Sequence, residues 1–153
     1  MKIELRNVKH SEFASQETDC FEASVYIDGK RAGTVSNAGH GGCNNYHPHD
    51  LAKRINAYAK TLPKIDMSAH GLSGDDRYMD QSDETLIGDL LNAYLRTRHE
   101  KRLCAKAVLY RIPGHVYEEG AYHSIKGVYS PAIKAKLIAK YGEKLEILNE
   151  KFA

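Results

Sequence analysis

Four side chains able to ligate a metal or carry a proton crowd into ten residues: His40, Cys43, His47 and His49, spaced H-x2-C-x3-H-x-H. Neutral imidazole and thiolate are preferred ligands of zinc, and Gly39, Gly41 and Gly42 let the backbone fold tightly enough to bring them together. The spacing matches no standard finger, in which short-spaced pairs come from two separated positions. His70, Cys20 or an aspartate from 75–80 would have to complete a tetrahedron around zinc or another divalent ion. A metal so held would activate water, the chemistry of a metal-dependent hydrolase or nuclease. The plain alternative is four polar loop residues, with His47 and His49 flanking Pro48 ahead of a helix.

The same loop supports a second chemistry. Gly41, Gly42, Asn44 and Asn45 precede a helix start, where backbone N–H groups and the positive end of the helix dipole suit an anion, and Lys53 and Arg54 add charge in the first turns. Neither a Walker loop nor a dinucleotide fingerprint is present, so no standard phosphate cradle is written here. A thiol nucleophile at Cys43 would need a lowered pKa from His40 or His47, but no family signature surrounds it.

A basic stretch lies further on. Arg96, Arg98, Lys101, Arg102, Lys106 and Arg111 stand against Glu100 alone in residues 96–111, with Tyr94 and Tyr110 near its ends. Cations interleaved with aromatics contact phosphates and stack on bases. Three of them also suit the C-terminus of a helix, which needs no ligand to explain it. Glu118, Glu119, His115 and His123 are treated as surface, with membership of a site left open for either pair. Among the ten tyrosines, Tyr58, Tyr94 and Tyr141 fall on helical stripes, while Tyr46, Tyr78 and Tyr117 fall in loops and are expected to be accessible.

The elements that must position these groups follow from periodicity. Residues 2–8 and 21–27 alternate as strands, and Asp28-Gly29 predicts a two-residue hairpin turn into 31–35. Residues 38–49 read as loop. Leu51, Ile55, Tyr58, Ala59 and Leu62 form a helical stripe over 50–62, capped by Asp50 and stopped by Pro63. Residues 63–82 carry glycines and aspartates with little period and are expected to be an acidic connecting segment. A second helix starts near Asp83 and ends among the cations at 96–102; strands follow at 103–112 and 120–129. Ser130-Pro131 opens a third helix that Gly142 closes, and 145–148 reads as a last strand. The order lacks regular β-α alternation and predicts a single α+β domain with a largely antiparallel sheet and about three helices.

The 153 residues, 42% hydrophobic and 27% charged, suit a soluble globular chain able to fold without a disulfide or a metal. Three widely spaced cysteines, no signal-like apolar run and no membrane span predict a cytoplasmic protein with no membrane partner. The formal charge is only +2, which excludes a uniformly basic nucleic-acid protein. It is also a cancellation: residues 1–95 carry ten cations against fourteen acids, and residues 96–153 carry twelve against six.

In the stretches VYIDGKRAGTVSNAGHGGCNNYHPH and AVLYRIPGHVYEEGAYHSIKGVYSPAIKAKLIAKYG the chain resembles small proteins carried by bacteria and their phages. The resemblance implies an accessory protein that acts by binding and neutralising something of the host, and it brings no catalytic residue with it. The expectation that absorbs most of these features is a cytosolic binding protein. It would hold a nucleotide or nucleic acid at Gly41, Gly42, Asn44, Asn45, Lys53, Arg54, Arg98 and Arg102, and sequester or mask it. The alternatives are the metal-dependent hydrolase or nuclease, and an inhibitor that docks on a host protein through a tyrosine-rich face.

Overall fold

The computed structural model describes all of residues 1–153. The fold is α+β with antiparallel sheets and three helices, and no helix is long and apolar enough to cross a membrane. The chain divides into two compact units, Met1–Asn92 and Ala93–Ala153.

In the first unit, β1 (Ile3–Ser11), β2 (Cys20–Ile27), β3 (Lys30–Ala38) and β4 (Asn45–His47) form an antiparallel meander in chain order. The alternation of β2 buries Phe21, Ala23, Val25 and Ile27, and Val35 of β3 joins them. The hairpin turn is where the Asp-Gly pair demands it: Asp28 and Gly29 take φ of 49° and 78° between the paired residues Ile27 and Lys30.

β4 corrects the loop expected over 38–49. Asn45, Tyr46 and His47 pair with Ser36, Val35 and Thr34, and Tyr46 points into the core instead of being accessible. Three residues with a single apolar side chain show no period; only their partner strand reveals them as a strand. Helix α1 (Asp50–Ala59) buries Leu51, Ile55 and Ala59. It is shorter than predicted, and its cap is His49, whose side chain accepts no capping bond, instead of Asp50; the turn starts with Leu51 N–H donating to the Pro48 carbonyl at 3.0 Å.

The acidic segment is built, not bare. β5 (Ile65–Asp66) pairs with β6 (Tyr78–Met79), and Asp66 accepts two bonds from Arg77, from Nε at 3.1 Å and Nη2 at 2.8 Å. That fork holds the Asp66 carboxyl well below its usual range. Helix α2 (Asp83–Cys104) then opens on a reciprocal cap, Ser82 N–H donating to Thr85 Oγ1 and Thr85 N–H to Ser82 Oγ.

In the second unit β7 (Ala107–Arg111) is the centre of a sheet ordered β8-β7-β9, with β8 (His123–Lys126) and β9 (Glu146–Ile147) both antiparallel to it. Both flanking strands are shorter than predicted. All four residues of β8 are exposed, and after Ile147 the chain turns into a 3-10 stretch, Leu148–Phe152. Helix α3 (Pro131–Tyr141) starts where the Ser130 hydroxyl accepts from Ile133 N–H at 3.3 Å. Val108, Tyr110, Leu137 and Ile147 close one core cluster; Cys104, Leu109 and Leu148 close another.

Candidate functional site

The glycines of residues 38–44 serve a packed turn. Gly39 is buried with φ of 85°, and a Cβ there would stand 2.2 Å from the Ala14 carbonyl oxygen, so no other residue fits. Its own carbonyl accepts from Gln16 and Glu17 N–H at 2.9 and 3.1 Å. Asn37, buried on β3, ties the rest: its Oδ1 accepts from Gly39 N–H and from the Thr18 hydroxyl, and its Nδ2 donates to Gly42 O and Asn44 Oδ1. Thr18 accepts from Gly41 N–H, and Glu84 accepts from Asn44 N–H at 2.7 Å. The amides of Gly39, Gly41 and Asn44, which an anion would have used, are therefore already committed to side chains.

A cavity of about 210 Å³ borders this turn, with Asp19, Glu84, Gly42, Asn44 and Asn37 among its walls and Phe21, Ile87 and Leu91 at its apolar side. It offers two carboxylates and no cation. Burial lifts the pKa of Glu84, against the Asn44 bond that lowers it. Such a lining disfavours a phosphate. Lys53, Arg54 and Asn45 are exposed on α1 and β4 and do not line it. Behind the turn, burial and neighbouring Asp83 hold the phenol of Tyr46 strongly protonated, and its hydroxyl has no hydrogen-bond partner.

The four potential metal ligands are spread along this segment. His40 reaches Gln16 Oε1 at 3.3 Å, Cys43 is exposed, His47 lies on β4 and His49 caps α1. No three His, Cys, Asp or Glu side chains of the chain gather at one point where an ion could bind.

The predicted basic run also divides. Arg96 pairs with Glu119, and Lys101 edges an apolar groove with Val128 and Phe152. Arg98 and Arg102 follow one another along one face of α2 at i, i+4, half-buried and exposed respectively. Arg111 alone enters a cleft. With His115, Tyr117, Lys144 and Glu146 it lines a cavity of about 310 Å³ made by the chain leaving β7 and the chain entering β9.

Tyr117 and His115 are the rings that line that cleft, and further rings pack against them. Tyr110 and His123 are cross-strand partners in the β7–β8 ladder, which puts their rings 5.4 Å apart and nearly parallel. His123 meets Tyr117 edge-on at 5.7 Å and His115 at 6.4 Å, while His115 stacks on Tyr117 at 6.2 Å. The Tyr117 hydroxyl accepts from Ile112 N–H at 2.9 Å, which fixes its ring. The Arg111 guanidinium lies 4.2 Å over Tyr122 and 5.6 Å over Tyr117, and its Nε donates to the Ala121 carbonyl. Beneath, burial raises the pKa of Tyr110, whereas bonds from Lys140 and then from Tyr110 lower that of its neighbour Tyr141.

His115 and His123, read as surface from the sequence, are indeed exposed, and the fold also brings their imidazoles together, with Tyr117 packed against both. The available signal was the placement of His115 in the turn after Arg111 and of His123 at the start of the strand-like run that follows. Compared with protein-family models, curated proteins and solved structures, the chain matches none.

Proposed function

We propose that the chain binds nucleic acid, holding a single-stranded segment in the cleft of its C-terminal unit. The observation that carries this reading is the joint placement of Arg111, Lys144, Tyr117 and His115 around one open cavity. Two cations contact phosphates, and rings held edge and face offer platforms for bases. The unit as a whole carries twelve cations against six acids, so the field around the cleft attracts a polyanion. The Gly/His turn, in contrast, has spent the amides named above within the fold and borders an acidic cavity, which makes it scaffold for the first unit.

The test is fluorescence anisotropy with a labelled single-stranded 12-mer across a salt series. Arg111→Ala and Lys144→Ala are each expected to make the log K against log salt slope shallower by about 0.7, the value for one phosphate contact on a single strand. Tyr117→Ala is expected to weaken binding about 5- to 150-fold through lost stacking, whereas Tyr117→Phe, which keeps the ring but loses the hydroxyl that accepts from Ile112 N–H, weakens it less. Arg98→Ala with Arg102→Ala is expected to leave the slope unchanged. Salt-independent binding, or a slope that follows Arg98 and Arg102 instead, sinks the cleft.

A further inference from the structure

Resting on that reading, we infer that the chain cleaves single-stranded RNA without a metal at the edge of this cleft, with His115 of its lining and His123, packed against His115, as the proton-transfer pair. The two ring centroids are 6.4 Å apart at 71°, a separation that one phosphodiester can bridge with each imidazole within hydrogen-bond reach of a different oxygen. An imidazole can accept a proton on one ring nitrogen or give one up, so two of them can serve as the base and the acid of one reaction.

RNA carries its own nucleophile. One imidazole takes the proton of the 2′-hydroxyl as that oxygen attacks the adjacent phosphorus. The bond from phosphorus to the 5′-oxygen breaks, and the other imidazole, protonated, gives its proton to the leaving oxygen. The products are a 2′,3′-cyclic phosphate and a 5′-hydroxyl, with one proton accepted and one donated and no water or cofactor consumed. Arg111 and Lys144 border the cavity that His115 lines, where their charge opposes the build-up on the phosphoryl oxygens.

The surroundings orient the pair. The Tyr110 ring stacks on His123 and the Tyr117 ring on His115, so each imidazole, though exposed, is held against a ring. The charged or titratable groups around them are Tyr110 on His123, Tyr117 on both, and Arg111, Lys144 and Glu146 around the cavity that His115 lines; Tyr141 with Lys140 packs behind Tyr110. DNA, lacking the 2′-hydroxyl, is expected to bind and survive.

The experiment incubates the full chain, in EDTA, with a random-sequence 20-mer RNA pool and with the matching DNA pool, and reads both binding and cleavage. The expected result is RNA cut to ends bearing 2′,3′-cyclic phosphate, DNA intact, and a bell-shaped rate against pH. His115→Ala and His123→Ala are each expected to slow cleavage of bound RNA, read at saturating protein, at least 100-fold. His115→Gln and His123→Gln, which preserve side-chain bulk, should be equally slow and show an unchanged circular dichroism spectrum. RNA bound but left intact overturns the inference and leaves the binding reading standing; absence of salt-dependent binding overturns both. Cleavage that persists in the double variant, that needs a divalent ion, or that consumes DNA equally also overturns it.

Discussion

Asn149 is buried in the C-terminal unit with both ends of its amide in use. Its Oδ1 accepts from Leu109 N–H at 2.9 Å, and its Nδ2 donates to the carbonyls of Ala107 at 2.9 Å and Cys104 at 3.1 Å. Removing it strands three backbone groups where water does not reach them, and unpaired buried groups cost more than a bond is worth. Asn149→Ala is expected to lower unfolding stability by about 2–4 kcal/mol in urea titration. Asn149→Asp is expected to lower it further, since a carboxylate would face two carbonyl oxygens. A second residue-scale expectation concerns Glu84, whose folded pKa is raised by burial above its ordinary 4.5. The folded state then holds this proton more tightly than the unfolded chain, so its contribution is fully present below about pH 4.5 and is lost as pH rises through the folded value. Glu84→Gln, keeping an oxygen for Asn44 N–H, is expected to flatten that fall and raise the melting temperature at pH 7. An unchanged pH profile of the melting temperature would contradict it.

At the scale of elements, close approach decides where substitution is tolerated. A Cβ on Gly33 would stand 2.1 Å from the His47 carbonyl oxygen of β4 and 2.8 Å from Leu51 of α1. Gly33→Ala therefore forces β3 away from both, at an expected cost of about 1–3 kcal/mol in denaturant unfolding. The elements that the sequence disclosed are those with enough residues to show a period: the Asp-Gly hairpin, the Leu51–Ile55–Ala59 stripe and the Ser130-Pro131 helix start. β4, β5 and β6 escaped because two or three residues have no period, and pairing across the chain defines them. The cleft escaped for a related reason. Its histidines are eight positions apart, and what unites them is the Tyr110–His123 register, set by how the turn over residues 112–122 closes. Arg111 was legible as a cation in an aromatic setting; its companions Lys144 and Tyr117 were not legible as its neighbours.

For the molecule as a whole, the charge division read from the sequence coincides with the structural one. Residues 93–95 carry no charge, so the boundary after Asn92 separates ten cations and fourteen acids from twelve and six. A net charge of +2 thus conceals a basic unit, and nucleic-acid affinity should depend on salt as that unit dictates, not as the total suggests. Asn149 also has a meaning at this scale. Its amide meets Leu109 N–H and Ala107 carbonyl as the peptide group of an adjoining strand would, beyond the point where the two-residue β9 stops covering β7. It is in effect a one-residue strand guarding an edge. Without it, β7 presents an unpaired donor and acceptor in register for a strand from another copy, the kind of opening from which chains zip into aggregates. The Asn149→Ala protein should therefore lose solubility as its concentration rises, at temperatures where it is still folded.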